Sequence, residues 1–183
     1  MPEIPMKQLT PIVWADTTDY SSAISGLART AQIDLTGVVA QAAREGAQVN
    51  LGVNRAHEYL IFVGLEFAAA AVIEAGEKAN IYFGQTPTST PANGNPGELT
   101  GVDADYAPAN PNLEAGLQTL GRKYDMTLDD RVTPLIQFQM IGRILTPLQF
   151  IIPTIRLATA TAGLHTDAVE CLIALCPILP ESQ

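Results

Sequence analysis

The sequence is short of charge, and of positive charge above all. Charged residues make up 16% of its 183 residues, and ten Lys and Arg against nineteen Asp and Glu give a net charge of −9. The ten cations are spread from Lys7 to Arg156 and form no basic cluster. Such a chain repels a phosphate backbone, so we expect no nucleic-acid partner. Hydrophobic residues make up 47%, which excludes a chain that is disordered throughout.

Long apolar runs are also missing. The longest, near 60–73 and 171–179, are shorter than the ~18 residues that a membrane span needs. Residues 1–20 show no signal-peptide pattern. The only cysteines are Cys171 and Cys176, and residues five apart on one strand point to opposite faces, so we expect two buried, reduced thiols. These features predict a protein made in a reducing cytoplasm, with no membrane partner.

Recognisable catalytic motifs are absent too. The chain has two histidines but neither a GxSxG nucleophile motif nor a glycine-rich phosphate loop. His165, Cys171 and Cys176 form a conceivable zinc set, but the cysteines lack CxxC spacing. Asp103 and Asp105 are weak calcium candidates because carboxylate oxygens suit Ca²⁺, and turn-forming aspartates are the alternative. We therefore expect no enzymatic activity, no cofactor and no metal.

What the sequence does contain is a two-residue period. Within 57–67 one face is apolar and the other is half apolar, which is typical of a strand that lies centrally or faces a partner. Further strand patterns occupy 78–84, 123–128, 132–145, 149–158 and 168–177. About seven short strands with little helix predict a mainly β fold, an antiparallel β-sandwich that is jelly-roll-like and carries an extended N-terminal arm.

Two segments differ from the rest. Residues 1–22 are punctuated by proline and too hydrophobic for a solvated tail, so we expect an extended arm at 1–22 and a single β-sandwich domain at 23–183. The arm either docks on a neighbouring subunit or forms an edge strand of its own domain. Its candidate interface residues are Ile4, Met6, Leu9, Ile12, Val13 and Trp14. The Pro/Gly-rich loop at 85–112 has no Lys or Arg and is long enough to be functional or to pack on a neighbour.

Several short motifs resemble those of tailed-bacteriophage virion proteins. They are GVVAQAAREGAQVN at 37–50, EYL at 58–60, AG at 75–76, NIYF at 80–83, NGNPG at 93–97, TGVDADY at 100–106 and LHTD at 164–167. The chain departs from the pattern at 147–153, where the related proteins carry a turn and then an apolar strand. The resemblance implies a non-enzymatic β-sandwich component of the particle. It favours a capsid decoration (cement) protein on the capsid surface, with the major capsid protein and further copies of itself as partners, a trimer being one candidate assembly.

A cement protein stabilises a shell by burying apolar surface across the joints between capsomers. Two alternatives stay open. One is a tail or connector protein of the same particle. The other is a carbohydrate-binding β-sandwich module, which needs exposed aromatics such as Trp14, Tyr82, Tyr106 or Tyr124 in a groove. The scarcity of charge in 1–22, 57–67 and 85–112 predicts that these three segments are covered by neighbouring subunits.

Overall fold

A computed structural model of the chain describes residues 10–23, 25–53, 55–69, 71–90, 96–107, 113–130, 136–146, 148–167 and 169–178. Within these ranges the fold consists of two sheets. The first has the order β2-β1-β11-β5-β9, and its strands are β1 (Ile12–Ala15), β2 (Ala31–Gln32), β5 (Glu58–Glu66), β9 (Ile136–Leu145) and β11 (Leu172–Pro177). Neighbours in it are antiparallel except β1 and β2, which are parallel.

The second sheet has the order β7-β3-β10-β6-β8, with β4 also paired to β10. Its strands are β3 (Ala43–Glu45), β4 (Val49–Asn50), β6 (Lys78–Thr86), β7 (Ala104–Asp105), β8 (Tyr124–Thr127) and β10 (Phe150–Ala158). All of its pairs are antiparallel. A short helix, α1 (Leu113–Gln118), and a 3-10 turn at Pro96–Glu98 complete the described elements. These two sheets confirm the prediction of a mainly β, largely antiparallel fold.

The main apolar core lies between the sheets, because each contributes one apolar face to the same buried cluster. On β5 the buried inward residues alternate as the period predicts: Tyr59, Ile61, Val63 and Leu65. Across the core, the Trp14 ring of the first sheet lies 6.5 Å from the Phe83 ring of the second. Burial of apolar side chains from both layers is the main favourable contribution to this fold.

The N-terminal segment corrects one expectation. Strand β1 lies inside the first sheet, between β2 and β11. Val13 and Trp14 are 1% and 0% exposed, and Ile12 packs against the same core. The Trp14 indole Nε1–H also donates a hydrogen bond to the Ala47 carbonyl at 2.7 Å. Residues 12–14 therefore belong to their own domain, and Val13 and Trp14 offer no free surface to a neighbour, so a boundary at residue 22 does not separate arm from domain. Ile4, Met6 and Leu9 lie outside the described residues.

The described part of the 85–112 loop packs on its own chain. Leu99 and Tyr106 are buried against Tyr82 and Ile152 on the outer face of the second sheet. Helix α1 follows on the same face, where Leu117 and Leu120 extend the apolar cluster to Ala43. This loop therefore covers a sheet of its own domain, and Leu99 and Tyr106 do not need a neighbouring subunit to shield them.

A buried carboxylate anchors the loop to β3. Glu45 is 1% exposed and accepts hydrogen bonds from the Thr100 amide, at 3.1 Å, and from the Thr100 hydroxyl. Burial raises the pKa of Glu45, and the hydrogen bonds from Thr100 offset only part of that rise. The loop is thus held by a polar contact as well as by the apolar cluster.

Candidate interaction surface

The outer face of the first sheet, opposite the core, is as apolar as a core face. Residues paired across antiparallel strands point to the same side of a sheet, so the register defines this face directly. It contains Val13, Ala174, Phe62 and Met140 in one row and Leu172, Gly64 and Phe138 in the next. The prediction that residues 57–67 are apolar on both faces therefore corresponds to a strand with the core on one side and this surface on the other.

One half of this outer face is covered by the chain itself. Tyr20 and Leu27, from the segment between β1 and β2, pack on a buried cluster that includes Val13 and Leu172. The Tyr20 hydroxyl donates a hydrogen bond to the Leu27 carbonyl at 2.7 Å, which holds the segment in place. This cover lies over β1 and β11.

The other half, over β5 and β9, leaves large apolar side chains in solvent. Phe138 is 46% and Met140 is 55% exposed. The ring of Phe62 stacks on that of Phe138, with centroids 5.8 Å apart and an interplanar angle of 15°. We refer to Phe62, Phe138 and Met140 as the β9 patch. A contiguous apolar surface of this kind is a usual mark of a binding face.

Strand β9 presents this patch from a firm base. It is the last strand of the first sheet, and glutamine side chains on its inner face link it to the end of the second sheet. The Gln139 amide donates to the Thr127 carbonyl at 2.8 Å, while Gln137 donates to the Asp129 carbonyl at 3.0 Å and accepts from the Asp129 amide at 2.9 Å. Because these bonds fix the inner side of β9, its outer side chains keep a defined position.

Charges lie at the ends of the β9 patch and not within it. At one end Arg143 lies 3.7 Å from Glu58 in an exposed ion pair. At the other end Glu66 pairs in register with Ile136. An apolar centre with a charged rim matches the usual anatomy of a protein–protein interface.

The calcium candidates lie elsewhere and are paired with an arginine. Asp103 accepts a hydrogen bond from the Arg44 guanidinium at 2.9 Å, and Asp105 accepts one at 3.0 Å. Asp103 also accepts from the Asp34 amide and the Gln32 side chain. Arg44 therefore binds one oxygen of each aspartate, and the two aspartates tie the loop to β3.

The conceivable zinc set does not assemble. Cys171 and Cys176 are both free thiols; Cys171 is buried as predicted, whereas Cys176 is only half-buried. Cys171 is buried in the core, and burial raises the pKa of its thiol to about 12. Cys176 lies on the outer face, paired in register with Leu60. The His165 imidazole instead approaches a carboxylate of Asp167, with Nδ1 2.6 Å from Oδ1.

Comparison with known proteins adds no relative: no protein-family model matches the chain, and neither a curated protein nor a solved structure matches it. No helix within the described ranges is long and apolar enough to cross a membrane.

Proposed function

We propose that this chain is a non-enzymatic virion structural protein, a capsid decoration (cement) protein that binds the major capsid protein and stabilises the shell from the capsid surface. Its fold would be a β-sandwich of jelly-roll type, and it would act together with further copies of itself. The β9 patch would be its contact with the shell, and Ile4, Met6 and Leu9 would be further contacts.

The unequal cover of the two sheets supports this proposal most. The outer face of the second sheet is filled by the chain's own loop and helix. The outer face of the first sheet is filled only over β1 and β11, so Phe138 and Met140 stay about half exposed. A neighbouring subunit that binds the β9 patch would bury the part of this outer face that the chain itself leaves exposed.

The size of the apolar contribution fits a role that depends on many copies. Fully burying one large apolar side chain stabilises a structure by ~1.5–3 kcal/mol, so the half-exposed Phe138 and Met140 would contribute roughly 1–1.5 kcal/mol each. A single contact of this size is weak. Symmetric copies on a shell multiply its effect through avidity, which is how a small patch can hold a large assembly together.

The carbohydrate-binding alternative has little support from its candidate residues. Trp14, Tyr82, Tyr106 and Tyr124 are each 6% exposed or less, so none of these rings offers a flat platform to a sugar. A tail or connector protein would use the same kind of apolar contact, so only the location of the protein in the particle distinguishes it from a cement protein.

Cryo-electron microscopy of particles tests the proposal, using a genome that encodes this chain and the same genome with the gene deleted. We expect density on the outer shell, repeated with the capsid symmetry, that is lost from the deletion particles. Density on the tail or connector would replace the cement assignment with the alternative. Absence of the chain from purified particles would overturn a virion role altogether.

A further inference from the structure

A second group of polar residues lies where β5 ends. Glu66 is the last residue of β5, and the next residue, Phe67, forms an isolated bridge with Leu164. His165, which follows Leu164 in the chain, donates its backbone N–H to the Glu66 carbonyl at 2.8 Å. The His165 carbonyl accepts from the Gly37 amide at 2.8 Å. The backbone of the histidine is therefore fixed on both sides, so its ring is held beside β5.

The side chains of Glu66, His165 and Asp167 converge there. The imidazole Nδ1 lies 4.0 Å from Glu66 Oε1 and 2.6 Å from Asp167 Oδ1, and the three ligand atoms all lie within 4.8 Å of one another. Ligand atoms that share one zinc ion at ~2.0–2.2 Å lie at most ~4.4 Å apart, so a small side-chain rotation brings all three into range. His165 is 31% and Asp167 55% exposed, which leaves the group open to an ion from solvent.

The surroundings concentrate negative charge without balancing it. Glu170 adds a third carboxylate, and its backbone N–H lies 3.4 Å from Glu66 Oε2. The Oε2 atom of Glu170 is buried and has no hydrogen-bond partner among the described residues. Within the ranges that the structure describes, no Lys or Arg forms an ion pair with Glu66, Asp167 or Glu170.

A local turn accounts for only part of this arrangement. A hydrogen bond between His165 and Asp167, two residues apart, is an ordinary loop contact. It does not account for Glu66, which comes from a distant strand. A cation does, because it offsets the repulsion among the carboxylates and uses the imidazole nitrogen as a ligand.

We propose that Glu66, His165 and Asp167 bind a divalent transition-metal ion, with Glu170 as the adjacent carboxylate. Mixed imidazole and carboxylate ligands suit Zn²⁺ and its first-row neighbours better than Ca²⁺ or Mg²⁺. The ion would fasten the turn at 163–167 to the end of β5. Three protein ligands leave a further coordination position for water or for a side chain from another subunit. The site shares Glu66 with the rim of the β9 patch, but it does not depend on the proposed virion role.

Calorimetric titration of the full chain with Zn²⁺, after treatment with a chelator, tests this site. We expect binding of one ion per chain and an increase in the melting temperature. His165→Gln should weaken Zn²⁺ binding at least ~10-fold, a loss that removal of a single metal-orienting group can already produce. The matched control is His57→Gln, which changes the other histidine and should leave binding unchanged.

Asp167→Asn keeps the test decisive if His165→Gln fails to fold, because the side chain of Asp167 is 55% exposed and its replacement leaves the core intact. Circular dichroism of each variant verifies folding. Visible absorption of the Co²⁺-loaded chain should show a d–d band that both variants lose. Failure of the wild type to bind Zn²⁺, equal binding by the wild type and Asp167→Asn, or binding of Ca²⁺ in preference to Zn²⁺ would overturn the proposal.

Discussion

Replacement of Trp14 tests whether residues 12–15 belong to the core of their own domain. Trp14 is the only tryptophan of the chain, is 0% exposed, and donates its indole N–H to the Ala47 carbonyl. Trp14→Ala should lower the free energy of unfolding by ~3–5 kcal/mol, the usual cost of emptying such a site. Trp14→Phe fills most of the space but orphans the carbonyl, so we expect an intermediate loss of roughly 2–3 kcal/mol.

Urea unfolding followed by far-UV circular dichroism measures these changes. With a slope of ~2 kcal/mol/M, a loss of ~4 kcal/mol moves the midpoint of Trp14→Ala by ~2 M. The matched control is Val53→Ala, at a side chain that is 80% exposed, which should change stability by less than ~0.5 kcal/mol.

The same experiment at two protein concentrations distinguishes an internal strand from an arm that docks on a neighbour. A strand paired within its own chain gives a midpoint that does not depend on concentration. A stability of Trp14→Ala equal to that of the wild type, or a midpoint that rises with concentration and loses this dependence in Trp14→Ala, would refute the reasoning.

Three further predictions follow from buried groups. Burial raises the pKa of Glu45, so the wild type should gain stability relative to Glu45→Gln as the pH falls through the raised pKa of the folded state towards the ordinary value of 4.5, because the folded state binds the proton more tightly; parallel pH profiles in urea unfolding would contradict this. Iodoacetamide should alkylate native Cys176 but reach Cys171 only after unfolding, since that thiol is buried and its pKa is about 12; equal rates by peptide mass mapping would refute it. In Gly84→Ala the new Cβ would lie 2.3 Å from Leu99 Cδ1, so the variant should lose ~1–3 kcal/mol. Leu99→Ala in the same chain should make the two losses less than additive in thermal unfolding, and strict additivity would count against the contact.

The central part of the fold follows from the sequence because its period is regular. Strand β5 and its inward face are readable from the alternation in 57–67, and the strand over 78–84 corresponds to β6. Strand existence is local information, whereas the order of strands in a sheet depends on contacts between distant residues. Nothing in the local pattern indicates that β1 lies between β2 and β11.

The β9 patch could not be located from the sequence for a different reason. In β9, Gln137 and Gln139 alternate with Phe138 and Met140, and the ordinary expectation places the apolar set inside. The structure has the reverse, because the glutamine amides face the second sheet and satisfy backbone groups near β8. That the polar residues of a strand face inward and its apolar residues outward can be recognised only when the neighbouring strands are known.

The scarcity of charge has a narrower meaning than the sequence alone suggested. Of the three segments expected to be covered by neighbours, the described parts of 1–22 and 85–112 pack largely on the chain itself, although Val102 stays 57% exposed. The face of 57–67 that turns away from the core leads to the exposed apolar side chains of the β9 patch. A segment with few charged residues is therefore expected to be buried against something. Whether it is buried against its own chain or against another subunit depends on the tertiary structure.

Occupancy of capsids by a patch variant tests the central claim most directly. The variant is Phe138→Ser with Met140→Ser, and the matched control is Val53→Ser with Val72→Ser, which removes two exposed apolar side chains elsewhere. Each purified protein is added to shells of the major capsid protein from the same genome, and bound copies are counted after sedimentation. We predict that the control binds like the wild type, while the patch variant, folded by circular dichroism, binds at least ~10-fold more weakly. Equal occupancy by the patch variant and the wild type would contradict the account.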